Sequence, residues 1–344
     1  MNRKNIIESL LNLPDILCFS IIKYDFHIEG IVDIVFDAKY ANNGLIELPN
    51  NRIAAGNKNI KIWNLKTKQE ELLESDLMDK NENIISLGYI YVKDILRLVS
   101  YSFGRCIRIW NIETRKVIFT ITRKSGINCF CVINNSRIMI GLKDGNIEIW
   151  DIKCRKPIKK LKGHLSSVMY IKKTIFDNKV ISDSYDEVRV WDINEEKCIL
   201  VINTGISAFC GSFNAIPYLC DNLLAYRANN KITIIDILTG EIKRQIDYAA
   251  MFIKHKNGKL FLCCMEELSM WDIETGKCEA VRKYGDIIIA IDILPNNGII
   301  LKLHNNILVE DQVFPHKASG NELFLLSDGR FITFNYNQGI LINK

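Results

Sequence analysis

Residues 127–151 read INCFCVINNSRIMIGLKDGNIEIWD, three short apolar runs separated by the turn sequences NNS and KDG. Runs of this length, rich in Ile and Val and bounded by Gly, Asn, Asp and Ser, read as strands rather than as one helix. The last run, NIEIWD (146–151), recurs along the chain. Its copies are NIKIWN (59–64), CIRIWN (106–111) and EVRVWD (187–192), followed by the more divergent KITIID (231–236) and ELSMWD (267–272). Between Trp63, Trp110, Trp150, Trp191, Ile235 and Trp271 the intervals are 47, 40, 41, 44 and 36 residues. Most units continue into a fourth run, such as KVIFTI (116–121) or KCILVI (197–202). A repeat of about 40 residues means that each unit is one supersecondary module, which buries its apolar faces only against its neighbours.

The pattern resembles the WD40 repeat family over most of residues 43–310. That resemblance implies an all-β fold, a β-propeller of four-stranded antiparallel blades whose radial stacking protects nearly every sheet edge. Two further third strands, NILVED (306–311) and QGILIN (338–343), bring the expected count to eight blades, with the family's usual seven as the alternative. The segments NGLIELPNNRIAAGNKNIKIWN (43–64) and NELFLLSDGRFITFNYNQGILIN (321–343) carry the same order of runs and turns. Because the last unit stops after its third strand, EGIVDIVFD (29–37) is expected to supply the fourth. The expected organisation is a helical segment over 1–25 and one propeller over 26–344, closed by strands from both ends.

In that family a His after Gly, a Ser or Thr of the second strand, an Asp of the following turn and the Trp of the third strand form one hydrogen-bonded chain. Carried onto this sequence, the structural tetrad is His164, Ser182, Asp186 and Trp191. Carboxylate, imidazole, hydroxyl and indole can each satisfy the next, so the set can rigidify a buried blade. The first unit places Asn57 and Lys58, and the second Gly104, where the Asp would stand. The third keeps Asp144 without an upstream Gly-His pair. Those blades are expected to rest mainly on apolar packing.

Ser, His and Asp together also invite a nucleophilic reading. An acyl-transfer site needs an exposed nucleophile beside an oxyanion hole, and no strand-turn-helix nucleophile elbow is present. Phosphate-loop, dinucleotide and H-E-x-x-H motifs are absent too. The five histidines (His27, His164, His255, His304, His316) lie far apart, and neither Cys129/Cys131 nor Cys263/Cys264 has C-x-x-C spacing. The chain is therefore expected to be non-enzymatic, with no cofactor and no metal.

Over 344 residues, 45 Lys and Arg stand against 40 Asp and Glu, a net charge of +5 with no long block of one sign. This composition permits an acidic partner without marking a nucleic-acid binder, which would cluster its basic residues. Eleven scattered Cys, an odd number, and an N-terminus interrupted by Glu8 and Asp15 read as reduced thiols in an intracellular protein, cytoplasmic with the nucleus as a second location. No apolar run approaches the roughly 18 residues of a membrane-spanning helix, so no membrane partner is expected.

The expected function is a protein-interaction scaffold that binds a peptide or protein on the face built from turns between second and third strands. On this chain those turns carry Lys58, Phe103, Arg105, Lys143, Tyr185 and Arg227. Cations and aromatics together suit an acidic or phosphorylated segment. The alternative is a substrate receptor of a ubiquitin ligase, because LPDILCFSIIKY (13–24) is similar to the opening of an F-box. A second ligase route expects Arg shortly after the Trp-Asp pair, where this chain has Lys66, Glu113, Lys153, Asn194 and Glu274.

Overall fold

Alternating β-branched residues become strands here because both faces of each pleated sheet find an apolar neighbour. The computed structural model describes residues 34–36, 44–56, 58–73, 83–102, 106–174, 178–185, 187–204, 222–228, 230–304, 306–309, 312–315, 323–335 and 339–343. All regular structure among them is β. They form eight antiparallel sheets in chain order. Sheets 1 to 8 cover 45–73, 84–122, 127–161, 170–203, 223–246, 252–283, 288–315 and 323–343.

Each repeated hexapeptide is a strand, from Ile60–Asn64 in sheet 1 through Glu187–Asp192 in sheet 4 to Gly339–Asn343 in sheet 8. The expectation of eight four-stranded blades needs correcting. The described residues form seven such blades, and sheet 5 has three strands, Leu223–Ala228, Lys231–Asp236 and Ile242–Ile246. The third-strand motif counts units, and it carries no information on whether each unit has a complete set of strands. Residues 205–221, which precede sheet 5, and the expected helix over 1–25 lie outside the described residues.

In sheets 1 to 6 burial falls from the third strand to the outer, fourth strand. The third strands Cys106–Asn111 and Ile147–Asp151 are buried at all but their last residue, whereas the fourth strands Lys156–Leu161 and Ile242–Ile246 are exposed at most positions. Eight apolar clusters account for this gradient, each drawn from two successive sheets. Trp63 packs with Ile332 of sheet 8, Trp110 with Ile60 and Leu73 of sheet 1, and Trp150 with Ile107 and Ile121 of sheet 2. Trp191 meets Ile147 and Leu161 of sheet 3, and Ile235 meets Val188 and Ile202 of sheet 4. Every Trp position therefore faces the preceding sheet, and sheet 5 keeps that rule with Ile235. At about 25 cal/mol per Å² of apolar area, burial between sheets is the dominant stabilising term, although an extended-chain reference overstates it.

First strands of successive sheets lie side by side, as in sheets 1, 2, 3 and 4 and again in sheets 6, 7 and 8, and so form the inner wall. Ile34–Phe36 pairs antiparallel with Gly339–Asn343, Ile34 opposite Ile342, and becomes the fourth strand of sheet 8. Sheet 8 is joined to sheet 1 by Leu326 and Ile332 packed on Ile53 and Trp63, and by Ser327, whose N–H and hydroxyl donate to the Glu47 carboxylate at 2.8 and 2.6 Å. Antiparallel order puts the turns between second and third strands, together with the connections between sheets, on one face of this ring. Turns between third and fourth strands lie on the other.

Candidate interaction face

On the first of these faces Lys58, Lys143 and Tyr185 are exposed. Lys143 sits in a turn held on both sides, since its N–H donates to Gly126 O (3.1 Å) and its carbonyl accepts from the Ser167 hydroxyl (2.8 Å). Arg227 differs from the sequence expectation: it is half-buried and donates from Nη1 to the Ala250 carbonyl at 2.9 Å. Its guanidinium ties sheet 5 to the connection leading into sheet 6. Phe103 and Arg105 lie outside the described residues.

Beneath Tyr185 lies the polar chain of sheet 4. Trp191 Nε1–H donates to Ser182 Oγ at 2.7 Å, and Ser182 Oγ is 2.6 Å from His164 Nε2. Ser182 is fully buried. Asp186, the expected carboxylate, is outside the described residues, and the carboxylate beside the imidazole belongs to Glu187, with Oε1 2.8 Å from His164 Nδ1. The distance suits a hydrogen bond but the alignment does not, so Nδ1 counts as close to the charge without a well-formed bond. Glu187 also accepts from Arg189, Nε to Oε1 at 2.6 Å and Nη2 to Oε2 at 3.2 Å.

Burial pushes the His164 imidazole down to about 4; Glu187 opposes the shift and Arg189 adds to it. The ring is therefore neutral near pH 7. A proton on Nδ1, toward Glu187, leaves Nε2 free to accept from the serine hydroxyl, whose oxygen accepts from the indole. Two glycines let the backbone close around this chain. A Cβ on Gly163 would stand 2.4 Å from Arg189 Nη1, and one on Gly145, where φ is +80°, would stand 2.3 Å from the His164 carbonyl oxygen.

The sequence reading missed that the other indoles are also tied, each in its own way. Trp110 donates to Ser100 Oγ (2.8 Å) on the neighbouring second strand. Trp150 donates to Glu148 Oε2 (2.9 Å), which also accepts from Arg123 Nε (2.8 Å), while the Arg123 guanidinium lies 4.5 Å from the Trp150 ring centroid. Trp63 donates to Glu70 Oε2 (3.0 Å) and Trp271 to Ser269 Oγ (2.9 Å). The signal available in the sequence was weak: a polar residue two before Trp in NIEIWD and ELSMWD, or a Ser on the preceding strand.

A second repeated device follows the Trp. Oδ1 of Asn64, Asn111, Asp151, Asp192, Asp236 or Asp272 accepts from backbone N–H groups two or three residues on, at 2.7 to 3.4 Å. Four residues past each of these stands a left-handed residue: Lys68, Arg115, Arg155, Glu196, Gly240 and Gly276. The Asp or Asn of the motif thus shapes the turn into the fourth strand. Asp272 also pairs with Lys259 at 2.9 Å, a contact that holds its carboxyl well below the usual carboxylate range.

Cys129 and Cys131 pack in the cluster between sheets 3 and 4. Burial pushes the Cys129 thiol far up and Cys131 up to about 11, which makes both poor thiolates. Among the described residues no group of three or more His, Cys, Asp or Glu is placed to hold a metal ion, and no helix is long and apolar enough to cross a membrane.

No family model matches the sequence. It is 22% identical over 231 residues to apoptotic protease-activating factor 1 of Rattus norvegicus, a stretch covering 57% of this chain and 18% of that protein. It is 27% identical over 92 residues to autophagy-related protein 16 of Arabidopsis thaliana, 26% of this chain and 18% of that one. A third relative, myosin heavy chain kinase C of Dictyostelium discoideum, is 30% identical over 125 residues, 36% of this chain and 15% of that one. The chain thus spans less than a fifth of the length of these relatives. Among solved structures, the computationally designed Ika8 protein superposes with a TM-score of 0.72 at 19% identity, covering 91% of this chain and 99% of that one. A chain of a mitotic checkpoint complex gives 0.59 at 16%, covering 83% and 93%. At these identities the likeness concerns the fold, a β-propeller of repeated antiparallel blades.

Proposed function

We propose that the chain is a WD40-type propeller that serves as a non-enzymatic scaffold, holding a protein or peptide on the face that carries Lys58, Lys143 and Tyr185. The observation that carries this reading is the placement of the Ser–His–carboxylate set. Ser182 and His164 are buried between sheets, so no substrate reaches the serine, while the turns above them are exposed and fixed by hydrogen bonds. Relatives that carry a similar segment inside much longer chains fit a module that organises other proteins. The three-stranded sheet 5 is counted here as an eighth blade position, because it packs on sheet 4 through Leu224 and Ile235 and on sheet 6 through Ile232 and Ile246. Tyr185 supplies an aromatic anchor, and the lysines of sheets 1 and 3 favour an acidic or phosphorylated segment. The cytoplasm is the compartment where such a thiol-rich module would work, with the nucleus as a second location.

The test is an array of acidic peptides, phosphorylated and not, probed with the full chain and with the Lys58→Glu/Lys143→Glu double variant. The expected outcome is at least tenfold weaker binding at an unchanged melting temperature. Equal binding by both proteins would reject the site. The ligase-receptor reading rests on residues 13–24. Deleting 1–25 should release a co-purifying adaptor and cullin, and an unaltered set of partners would remove that reading.

A further inference from the structure

The turns from third to fourth strand share one build in sheets 1 to 3. Each starts at the Asn or Asp after the Trp (Asn64, Asn111 or Asp151) and reaches a left-handed residue four positions on, Lys68, Arg115 or Arg155. Equivalent turns of successive blades stand at the same height on a ring, so these three form an arc in one plane. Their exposed cations are Lys66 and Lys68, then Arg115 and Lys116, then Lys153, Arg155 and Lys156. In sheets 4 to 6 the same turns carry Glu195, Glu196 and Lys197, then Glu241, then Glu274 and Lys277. The arc is basic over sheets 1 to 3 and acidic to neutral beyond them.

Most of this charge is unmatched. Arg115 lies 3.7 Å from Glu71, and the Arg155 guanidinium lies 5.5 Å from the Phe119 ring centroid. Lys66, Lys68, Lys116, Lys153 and Lys156 pair with no carboxylate among the described residues. Glu70 is taken up by Lys61 and the Trp63 indole, and Asp151 by the Cys154 N–H. Asp94 and Glu113 are the exposed carboxylates left on this side, where the inner turns add Arg52, Lys93 and Arg137. At the borders Glu196 pairs with Lys159 and Asp328 with Arg330, while Asp177 of sheet 4 lies outside the described residues. The apolar residues of the arc, Leu65, Ile112 and Ile152, are buried, and 65–69, 112–116 and 152–156 contain no aromatic residue. A protein partner needs anchors that can be desolvated, and a single nucleic-acid strand needs rings to stack on. A flat layer of anionic headgroups needs neither.

We propose that this arc seats the ring on a membrane surface rich in anionic lipid. Such contact stays at the headgroup layer and requires no spanning helix. Each cation near the surface adds its own attraction, which salt screens. The face that carries Lys58, Lys143 and Tyr185 then points away from the lipid and stays open to a partner, so neither site depends on the other.

The experiment sediments the full chain with vesicles of phosphatidylcholine, alone or with about 30% phosphatidylserine, in about 0.1 M salt. It compares Lys66→Gln/Lys68→Gln and Lys153→Gln/Lys156→Gln with Lys58→Gln/Lys143→Gln, which removes the same charge from the opposite face. Binding should require phosphatidylserine, fall about tenfold with each of the first two pairs and stay unchanged with the third. The two arc pairs are independent, so if one lowers the melting temperature the other decides. No sedimentation with anionic vesicles would overturn the proposal, and so would an equal loss with the opposite-face pair, which marks adsorption by net charge alone. Tighter binding of a DNA duplex or of an acidic peptide through the same lysines would replace the lipid as partner. The chain also enters sheet 8 from this side, at Ile34 opposite Ile342. Vesicle binding that appears only after residues 1–25 are deleted would make the N-terminal segment the occupant and overturn the proposal as well.

Discussion

Sheets 2 and 4 solve one problem with different numbers of parts. Their matching positions are Ser100 and Ser182, Ser102 and Ser184, Cys106 and Glu187, Arg108 and Arg189, Trp110 and Trp191, with each first serine directly opposite its arginine in the strand register. Both indoles donate to that serine, at 2.8 and 2.7 Å. In sheet 4 the serine also meets His164, and Glu187 holds both imidazole and guanidinium. In sheet 2 a thiol stands at the Glu187 position, and Arg108 instead donates to Ser102 at 3.2 Å. The serine–indole bond is therefore the minimal tie, and the histidine and carboxylate form an added layer that needs each other. A buried indole N–H requires only an acceptor.

The largest expected effect breaks that contrast at the serines. Ser182→Ala leaves both Trp191 and His164 without their partner in a buried site, a cost of about 3–4 kcal/mol, whereas Ser100→Ala orphans one indole and should cost about 1–2 kcal/mol. Denaturant titration of the two variants measures both. Equal losses would mean that His164 contributes nothing through Ser182.

Acid should act on sheet 4 through His164 and spare sheet 2. Because the folded imidazole titrates at about 4 against an ordinary 6.5, its contribution is fully present above pH 6.5 and is lost as pH falls toward 4. The expected loss from this group is about 3 kcal/mol, read as the change in the stability difference between the wild type and His164→Gln over those limits. A neighbour carries the opposite sign. Burial pushes Asp183 up to about 7, and its Oδ1 has no hydrogen-bond partner. Its folded pKa is raised, so stability is highest below its ordinary value near 3.8 and declines as pH rises through 7. Asp183→Asn should then stabilise by about 2 kcal/mol at pH 8 and leave stability at pH 4 nearly unchanged, read from melts at both pH values. Stabilisation independent of pH would place the penalty elsewhere.

The strands were legible because their signal is local: IEIWD and VRVWD state both period and burial, and the spacing of Trp63 to Trp271 states the repeat. What stayed hidden depends on neighbours in space. The short count of strands in sheet 5 leaves no mark on KITIID, which faces the preceding sheet as its Trp-bearing counterparts do. The approach of Glu187 to the imidazole depends on which way a single strand-end residue points. Arg227 read as a free cation of a turn, yet it is committed to a carbonyl 23 residues away.

The smallest expected effect sharpens the comparison between early and late sheets at the turn after the Trp motif. Sheets 5 and 6 place Gly240 and Gly276 at the left-handed position, while sheets 1 to 4 place Lys68, Arg115, Arg155 and Glu196 there at φ between 55° and 60°. An L side chain in that region costs about 1–2 kcal/mol, partly offset because glycine adds freedom to the unfolded chain. Arg155→Gly should therefore stabilise by about 0.5 kcal/mol. Gly240→Ala should destabilise by about 1 kcal/mol, since its Cβ would also stand 3.0 Å from Leu200 Cδ1. Three of the four also reach the preceding sheet: Arg115 comes within 3.7 Å of Glu71, the Arg155 guanidinium lies 5.5 Å from the Phe119 ring centroid, and Glu196 pairs with Lys159. These exposed contacts are worth little, so Arg115→Gly and Arg155→Gly should fall slightly below Lys68→Gly, and a double-mutant cycle of Arg115→Gly with Glu71→Gln measures one such share. If glycine lowers stability at both positions, the turn is held by its Asp or Asn hydrogen bonds so firmly that the left-handed residue is not strained at all.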